Sequence, residues 1–336
     1  MTGNEKPADA TPRSIIISDR EHGLPYSKGL MANTIMAAGL SPARAYQVAH
    51  VIEEELLASG RVSVTNDELR TIAEETIRRE AGERYARSYL RWQTVSELDV
   101  PLIILIGGGT GVGKSTIATQ LAARLGIVRI ISTDAIREVM KGVFSPDIMP
   151  TLHTSSFNAD EVVREKLGKA DDAVIVGFRE QVSAVAVGIK ALIERAVTEG
   201  TDVIIEGAHV VPGFVRPDAE GSDAVIVNLV VAVDDEDLHR SHFYVRAHET
   251  RARPQERYLQ SFGNIRKVQK YIRSLALRNG VPIIQNYNLD AALAAVIDHV
   301  VTTATDDASS RPASSRRPRA VSRGAGAPAR MKEGAR

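Results

Sequence analysis

The chain has 336 residues, 43% of them hydrophobic and 25% charged, and its 42 basic side chains balance 42 acidic ones. That is the composition of a soluble globular protein with room for two domains. The lack of cysteine excludes disulfides, thiolate zinc sites and thiol nucleophiles. No apolar run approaches a membrane span, and the opening MTGNEKPADATPR lacks the apolar core of a secretory signal, so a cytoplasmic protein with no membrane partner is expected.

In chain order, residues 1–13 are polar and expected to be disordered. Ser14 to Ser18 reads as a short strand followed by a turn over Asp19-Arg20-Glu21-His22-Gly23. A helix then runs from Ser27-Lys28 to about Ala38 and stops at Gly39. Ser41-Pro42 opens a second helix with Ala45, Val48, Ala49, Ile52 and Leu56 on one stripe. Thr65-Asn66-Asp67-Glu68 caps a third, and a fourth covers Glu83 to Trp92. Residues 14–97 thus form an α-rich unit, ending at the Leu98–Pro101 junction.

From Pro101 the pattern alternates strand and helix, which argues a parallel sheet with helices on both faces over residues 98–303. The expected strands are Leu102–Ile106, Val128–Ser132, Asp202–Ile205, Val225–Val233 and Pro282–Gln285. Long helices are expected from about Asp172 to Thr198 and from Leu289 to about Val300, with an irregular loop over Phe144–Phe157. From Ala304 a Ser-, Arg-, Pro- and Ala-rich tail is expected not to pack, and it carries eight basic residues against three acids. The rest is mildly acidic, which disfavours a nucleic-acid partner.

The first of those strands runs into GGGTGVGKST, which fits G-x-x-x-x-G-K-[ST] with Gly108, Gly113, Lys114 and Ser115 in the fixed places. Glycines let the backbone wrap a phosphate chain, and the helix N-terminus adds its dipole. Gly108, Gly109, Thr110, Gly111, Val112, Gly113, Lys114, Ser115 and Thr116 are therefore the expected cradle of a nucleoside triphosphate. Lys114 would reach the β- and γ-phosphates and Ser115 would ligate Mg²⁺. Glu206 closes an apolar strand of the same sheet, where its carboxylate would share that metal. Asp134 and Arg137 lie one helical turn apart just beyond the second strand, at the carboxyl edge where open α/β sheets bind ligands. There a carboxylate can take the proton of an attacking hydroxyl, and a guanidinium can grip an anion. His209 is open between meeting substrate and capping its loop.

Two resemblances extend this reading. IIISDREHGLPYSKGL, the two middle helices and AGERYARSYLRW resemble the ATP-cone, a regulatory nucleotide-binding module, although the usual basic pair of its opening strand is reduced here to Arg20. That resemblance implies a second adenine nucleotide near Arg20 and Lys28. Its separateness also suggests that a chain begun near Glu97 remains active. GGGTGVGKST, ISTDAIREVM, IIEGAHVVPG, HFYVRAHETR and VPIIQN together resemble the 2-phosphoglycerate kinase family, over roughly Ser14 to Val300. The resemblance implies an adenylate-kinase-like core using ATP and Mg²⁺, a small anionic hydroxy acid as acceptor, and a mobile lid. The lid arginines would be Arg246 and Arg251 to Arg253. A homo-oligomer stays open, as do a kinase for another small hydroxylated molecule or a polynucleotide end, and a non-catalytic nucleotide sensor.

Overall fold

The computed structural model describes residues 15–19, 22–96, 100–163, 168, 172–215, 223–249 and 255–310. Its apolar runs gather into two sheets, each with its own helices. In the first unit β1 (Ile16–Asp19) pairs antiparallel with β2 (His22–Pro25), and α1 (Lys28–Ala37) and α2 (Pro42–Ala58) follow. Then come β3 (Ser63–Thr65), α3 (Asn66–Ala81) and α4 (Glu83–Ser96), with β3 parallel to β1. Residues 20–21 of the turn expected over Asp19–Gly23 lie outside the described residues, while Asp19 belongs to β1 and His22 and Gly23 to β2. Gly23 makes this possible, because a Cβ there would come 2.2 Å from the Ile16 side chain. The capping signal at Thr65 is real. Its hydroxyl accepts from the Glu68 amide at 3.2 Å, while the Glu68 carboxylate accepts from the Thr65 amide at 2.9 Å.

The second unit begins with β4 (Leu102–Gly107), buried at every residue, and α5 (Lys114–Leu125). After these come β5 (Ile130–Ser132), α6 (Thr133–Val143), two short 3₁₀ turns (Pro150–His153, Ala159–Val162) and α7 (Ala173–Glu199). The chain continues through β6 (Val203–Glu206), β7 (Val225–Ala232), α8 (Glu236–Glu249), α9 (Gln255–Gln260) and α10 (Phe262–Arg278). It closes with β8 (Ile283–Gln285) and α11 (Leu289–Ser310). The sheet order is β5-β6-β4-β7-β8 and every neighbouring pair is parallel. The chain therefore reverses direction of travel beside β4, and a crevice opens at the carboxyl ends of β4, β5 and β6.

Two expectations change here. The last helix continues past Val300 to Ser310, so the expected tail does not start at Ala304. Ala304 is wholly buried because Leu293, Val296, Val300, Val301 and Ala304 keep one helical stripe against the sheet. Residues 1–13 and 311–336, whose disorder was expected, lie outside the described residues. The two units are also less separate than their compositions suggest. Trp92 and Val95 of α4 and Ala37 of α1 belong to the same apolar cluster as Leu102, Ile117 and Leu121. Arg91 donates to the Thr302 hydroxyl at 3.4 Å and lies 3.7 Å from Asp298. A chain begun near Glu97 would uncover this face. Among the described residues no helix is long and apolar enough to cross a membrane.

Candidate active site

Strand β4 delivers the chain into the phosphate loop with no room for a side chain at Gly107 or Gly108. A Cβ on Gly108, whose φ is 139°, would stand 2.2 Å from the Val231 carbonyl oxygen of the neighbouring strand. The loop then curls back so that the Lys114 ammonium donates to the Gly109 carbonyl at 2.7 Å. Ser115, one residue into α5, donates its hydroxyl to Glu206 Oε1 at 2.9 Å. Register explains the pairing: Glu206 lies opposite Ile106 on the adjacent strand, so both side chains end at the same sheet edge. Hydroxyl and carboxylate are hard oxygen donors. Mg²⁺ characteristically takes one or two such protein oxygens and fills the rest of its shell with phosphates and water, so this pair fits it.

Beside the loop lies a cavity of about 260 Å³, lined by Lys114, Ser115, Asp134, Arg137, Glu206 and Arg257 among others. Asp134 stands in the first turn of α6, with its carboxylate more than half exposed. Arg137 is the expected neighbour, its Nε 4.0 Å from Asp134 Oδ1, but its guanidinium is mostly committed elsewhere. Nη1 donates to the carbonyls of Leu152 and Thr154, both at 2.8 Å, and Nη2 donates to Glu138 at 2.7 Å. Lys141 foremost, with Arg137 beside it, holds the Glu138 carboxyl below its ordinary range. Arg137 thus ties the 144–158 loop to the cavity wall.

That loop does more than connect. It places Ser155 where the hydroxyl accepts from Arg257 Nη2 at 2.9 Å, and Phe157 against Tyr258, with ring centroids 5.8 Å apart. A second set of bonds fixes it from below. Gln181, buried within the apolar stripe of α7, donates to the Thr151 and Thr154 carbonyls. Its oxygen faces His209 Nε2 at 2.9 Å, and His209 Nδ1 lies 2.9 Å from the Thr133 hydroxyl. Since the Gln181 amide nitrogen is engaged with carbonyls, Nε2 of the imidazole must be the donor and Nδ1 the acceptor. Burial pushes the His209 pKa down to about 4, so the ring is neutral. Wholly buried, His209 joins the ends of β5 and β6 to α7 rather than facing the cavity.

The remaining expected residues are distributed unevenly. Arg246 lies on α8 but its side chain is not described, and Arg251, Arg253 and Arg20 lie outside the described residues. The Lys28 ammonium is 2.6 Å from Glu53 and lies over the Tyr46 ring at 5.8 Å. Glu53 is the main reason its pKa is raised. Arg257, Ser155 and Gln181 are cavity or supporting residues that sequence reasoning did not single out. A polar Gln181 inside the stripe Val182, Val185, Ile189 was the one available signal.

Comparison with known proteins agrees with this geometry. A model described as "ATP cone domain" matches residues 15–97, and one described as "AAA domain" matches residues 102–256. A 2-phosphoglycerate kinase of Methanothermobacter thermautotrophicus is 39% identical over 85% of this chain and 94% of its own. The protein of the same name from Pyrococcus horikoshii is 40% identical over 83% and 90% of the two chains. That of Thermococcus kodakarensis is 40% identical over 84% and 96%.

Proposed function

The chain belongs to the 2-phosphoglycerate kinase family, and from that premise we propose that it transfers the γ-phosphoryl group of ATP to the free hydroxyl of 2-phosphoglycerate. The products are 2,3-bisphosphoglycerate and ADP. The observation that carries this reading is the meeting, around one cavity, of Lys114 and the Ser115–Glu206 pair with Asp134 and two arginines.

The donor lies along the phosphate loop, whose backbone N–H groups and Lys114 hold the β- and γ-phosphates. Ser115 and Glu206 are the residues that would hold Mg²⁺, which when bound would supply positive charge against the phosphates. Asp134 accepts the proton of the acceptor hydroxyl as its oxygen forms the new bond to Pγ. The Pγ–Oβ bond breaks and its electron pair leaves on ADP. Arg257 faces the acceptor's anionic groups, and Arg137 keeps the cavity wall in register while lending its charge. The lid arginines, Arg246 and Arg251, remain candidates for closing on the transferring phosphate.

The match of residues 15–97 supports a second adenine nucleotide on the N-terminal unit, where a polyphosphate would compete with Glu53 for Lys28. Dependence on cellular ATP agrees with a cytoplasmic protein. The test of the main reading is a panel of phosphorylated and plain hydroxy acids presented with Mg·ATP, following ADP release. Turnover is expected with 2-phosphoglycerate. Turnover confined to a sugar or a polynucleotide end would overturn the proposed acceptor.

A further inference from the structure

The backbone carbonyls of four consecutive phosphate-loop residues are each engaged by a side chain. Lys114 reaches Gly109 at 2.7 Å, His239 Nε2 reaches Thr110 at 2.8 Å, His242 Nδ1 reaches Gly111 at 2.9 Å, and Asn286 reaches Val112 at 2.9 Å. Two of the four come from α8, which also sets Phe243 against the loop. A Cβ on Gly111 would lie 2.4 Å from the Phe243 ring. A trans peptide is planar, so its N–H points opposite to its C=O. Fixing the carbonyls of residues 109 to 112 therefore fixes the N–H groups of residues 110 to 113, the donors that cradle phosphate.

His239 is the buried centre of this arrangement, with no exposed surface, and it stacks on Phe243 at 5.6 Å. Its Nδ1 lies 3.3 Å from Arg266 Nη1. A guanidinium has donors and no acceptor, so Nδ1 must accept. The ring proton is then on Nε2, where it can donate to the Thr110 carbonyl. Arg266 is itself anchored, donating to the carbonyls of Val233 and Asp234, each at 2.7 Å. A protonated imidazole would set an N–H against the guanidinium, and burial keeps the ring neutral, its pKa pushed down to about 4.

We propose that His239, held in one tautomer by Arg266, is a positioning residue for the phosphoryl donor: it fixes the Thr110 carbonyl so that the phosphate loop presents its amides before nucleotide arrives. The relay runs from the end of β7 through Arg266 and His239 to the loop. It prepays the ordering of the cradle and raises affinity for the triphosphate without touching it. The proposal rests on the kinase reading only in taking a nucleoside triphosphate as the ligand of that loop; the acceptor does not enter.

Two near-isosteric variants of the full chain separate the bonds. In His239→Gln the amide nitrogen takes the place of Nε2 and still donates to Thr110. In His239→Asn the amide takes the place of Nδ1, keeps an acceptor for Arg266, and abandons Thr110. Mg·ATP binding by calorimetry should weaken roughly tenfold in the Asn variant, the effect of one lost hydrogen bond, and stay within about threefold in the Gln variant. With acceptor present, KM for ATP should rise in the Asn variant while KM for acceptor stays unchanged. Asn and Gln variants that bind Mg·ATP alike overturn the proposal. So does an equal rise in both KM values with a lowered Tm, which marks a merely structural side chain. If the parent binds Mg·ATP but leaves 2-phosphoglycerate unphosphorylated, the proposed acceptor fails, while the calorimetric comparison still decides the role of His239.

Discussion

The proposed donor and acceptor sides of this cavity are built in different ways. The proposed donor side is a run of adjacent residues, Gly108 to Thr116, in which backbone amides and one lysine would do the binding. The acceptor side is collected from distant places: Asp134 and Arg137 on α6, Ser155 on the following loop, and Arg257 102 positions beyond Ser155. Phosphate is symmetric and highly charged, so a curled backbone suffices to hold it. A small hydroxy acid must have one hydroxyl aimed at Pγ, which takes side chains converging from several elements.

That contrast can be broken or sharpened by substitution. The largest effect is expected from Lys114→Ala, which removes a charge that follows the transferring group. Turnover should fall by about 10² to 10³-fold with an unchanged circular dichroism spectrum, and near-normal turnover would remove the loop from catalysis. Asp134→Asn cannot accept the hydroxyl proton, so kcat should fall by about 10²-fold with KM for the acceptor within about threefold of the parent. Next comes Arg257→Ala, for which KM for the acceptor should rise about tenfold while KM for ATP stays put. Equal shifts in both constants would mean that the two sides are not separable as described. Arg137→Ala should differ from it by also lowering Tm, since the Leu152 and Thr154 carbonyls lose their donor.

Stability should in turn depend on pH. His209 and His239 are both held near pKa 4 from an ordinary 6.5 by burial. Between those values the unfolded chain binds protons that the folded one refuses, so stability falls as pH drops from 6.5 towards 4 and is insensitive to these rings above 6.5. The slope is at most about 1.4 kcal/mol per pH unit per histidine. Thermal denaturation at pH 7, 6 and 5 should show the loss, and His209→Gln should about halve it, leaving the share of His239.

The same contrast decides what could be read from the chain. The order of strands, the capping box at Thr65 and the phosphate loop are local patterns, legible because hydrophobic period and glycine placement act over a few residues. Asp134 was legible because its place just beyond a strand puts it on the cavity at the sheet's carboxyl edge. Arg137 was found for a partly different reason: its charge lines the cavity, yet its geometry spends that charge on two loop carbonyls. Gln181, His209 and Arg257 could not be assembled beforehand. The contacts Thr133–His209 and Ser155–Arg257 span 76 and 102 residues, and no local pattern encodes a meeting at that distance. Trp92 shows the limit for domain boundaries. Its helix reads as part of the first unit, but its side chain completes the core of the second. Trp92→Ala should therefore lower the stability of the kinase sheet by roughly 3–5 kcal/mol, measurable by denaturant titration.

Everything proposed for this cavity turns on phosphoryl transfer from ATP to the free hydroxyl of 2-phosphoglycerate. Phosphorus NMR of the full chain with Mg·ATP and 2-phosphoglycerate, run beside the Lys114→Ala variant, tests it most directly. The γ-phosphate resonance should disappear in step with the growth of two phosphomonoester resonances of one product, and only in the parent. ADP appearing with inorganic phosphate alone, or at a rate indifferent to 2-phosphoglycerate, would contradict it.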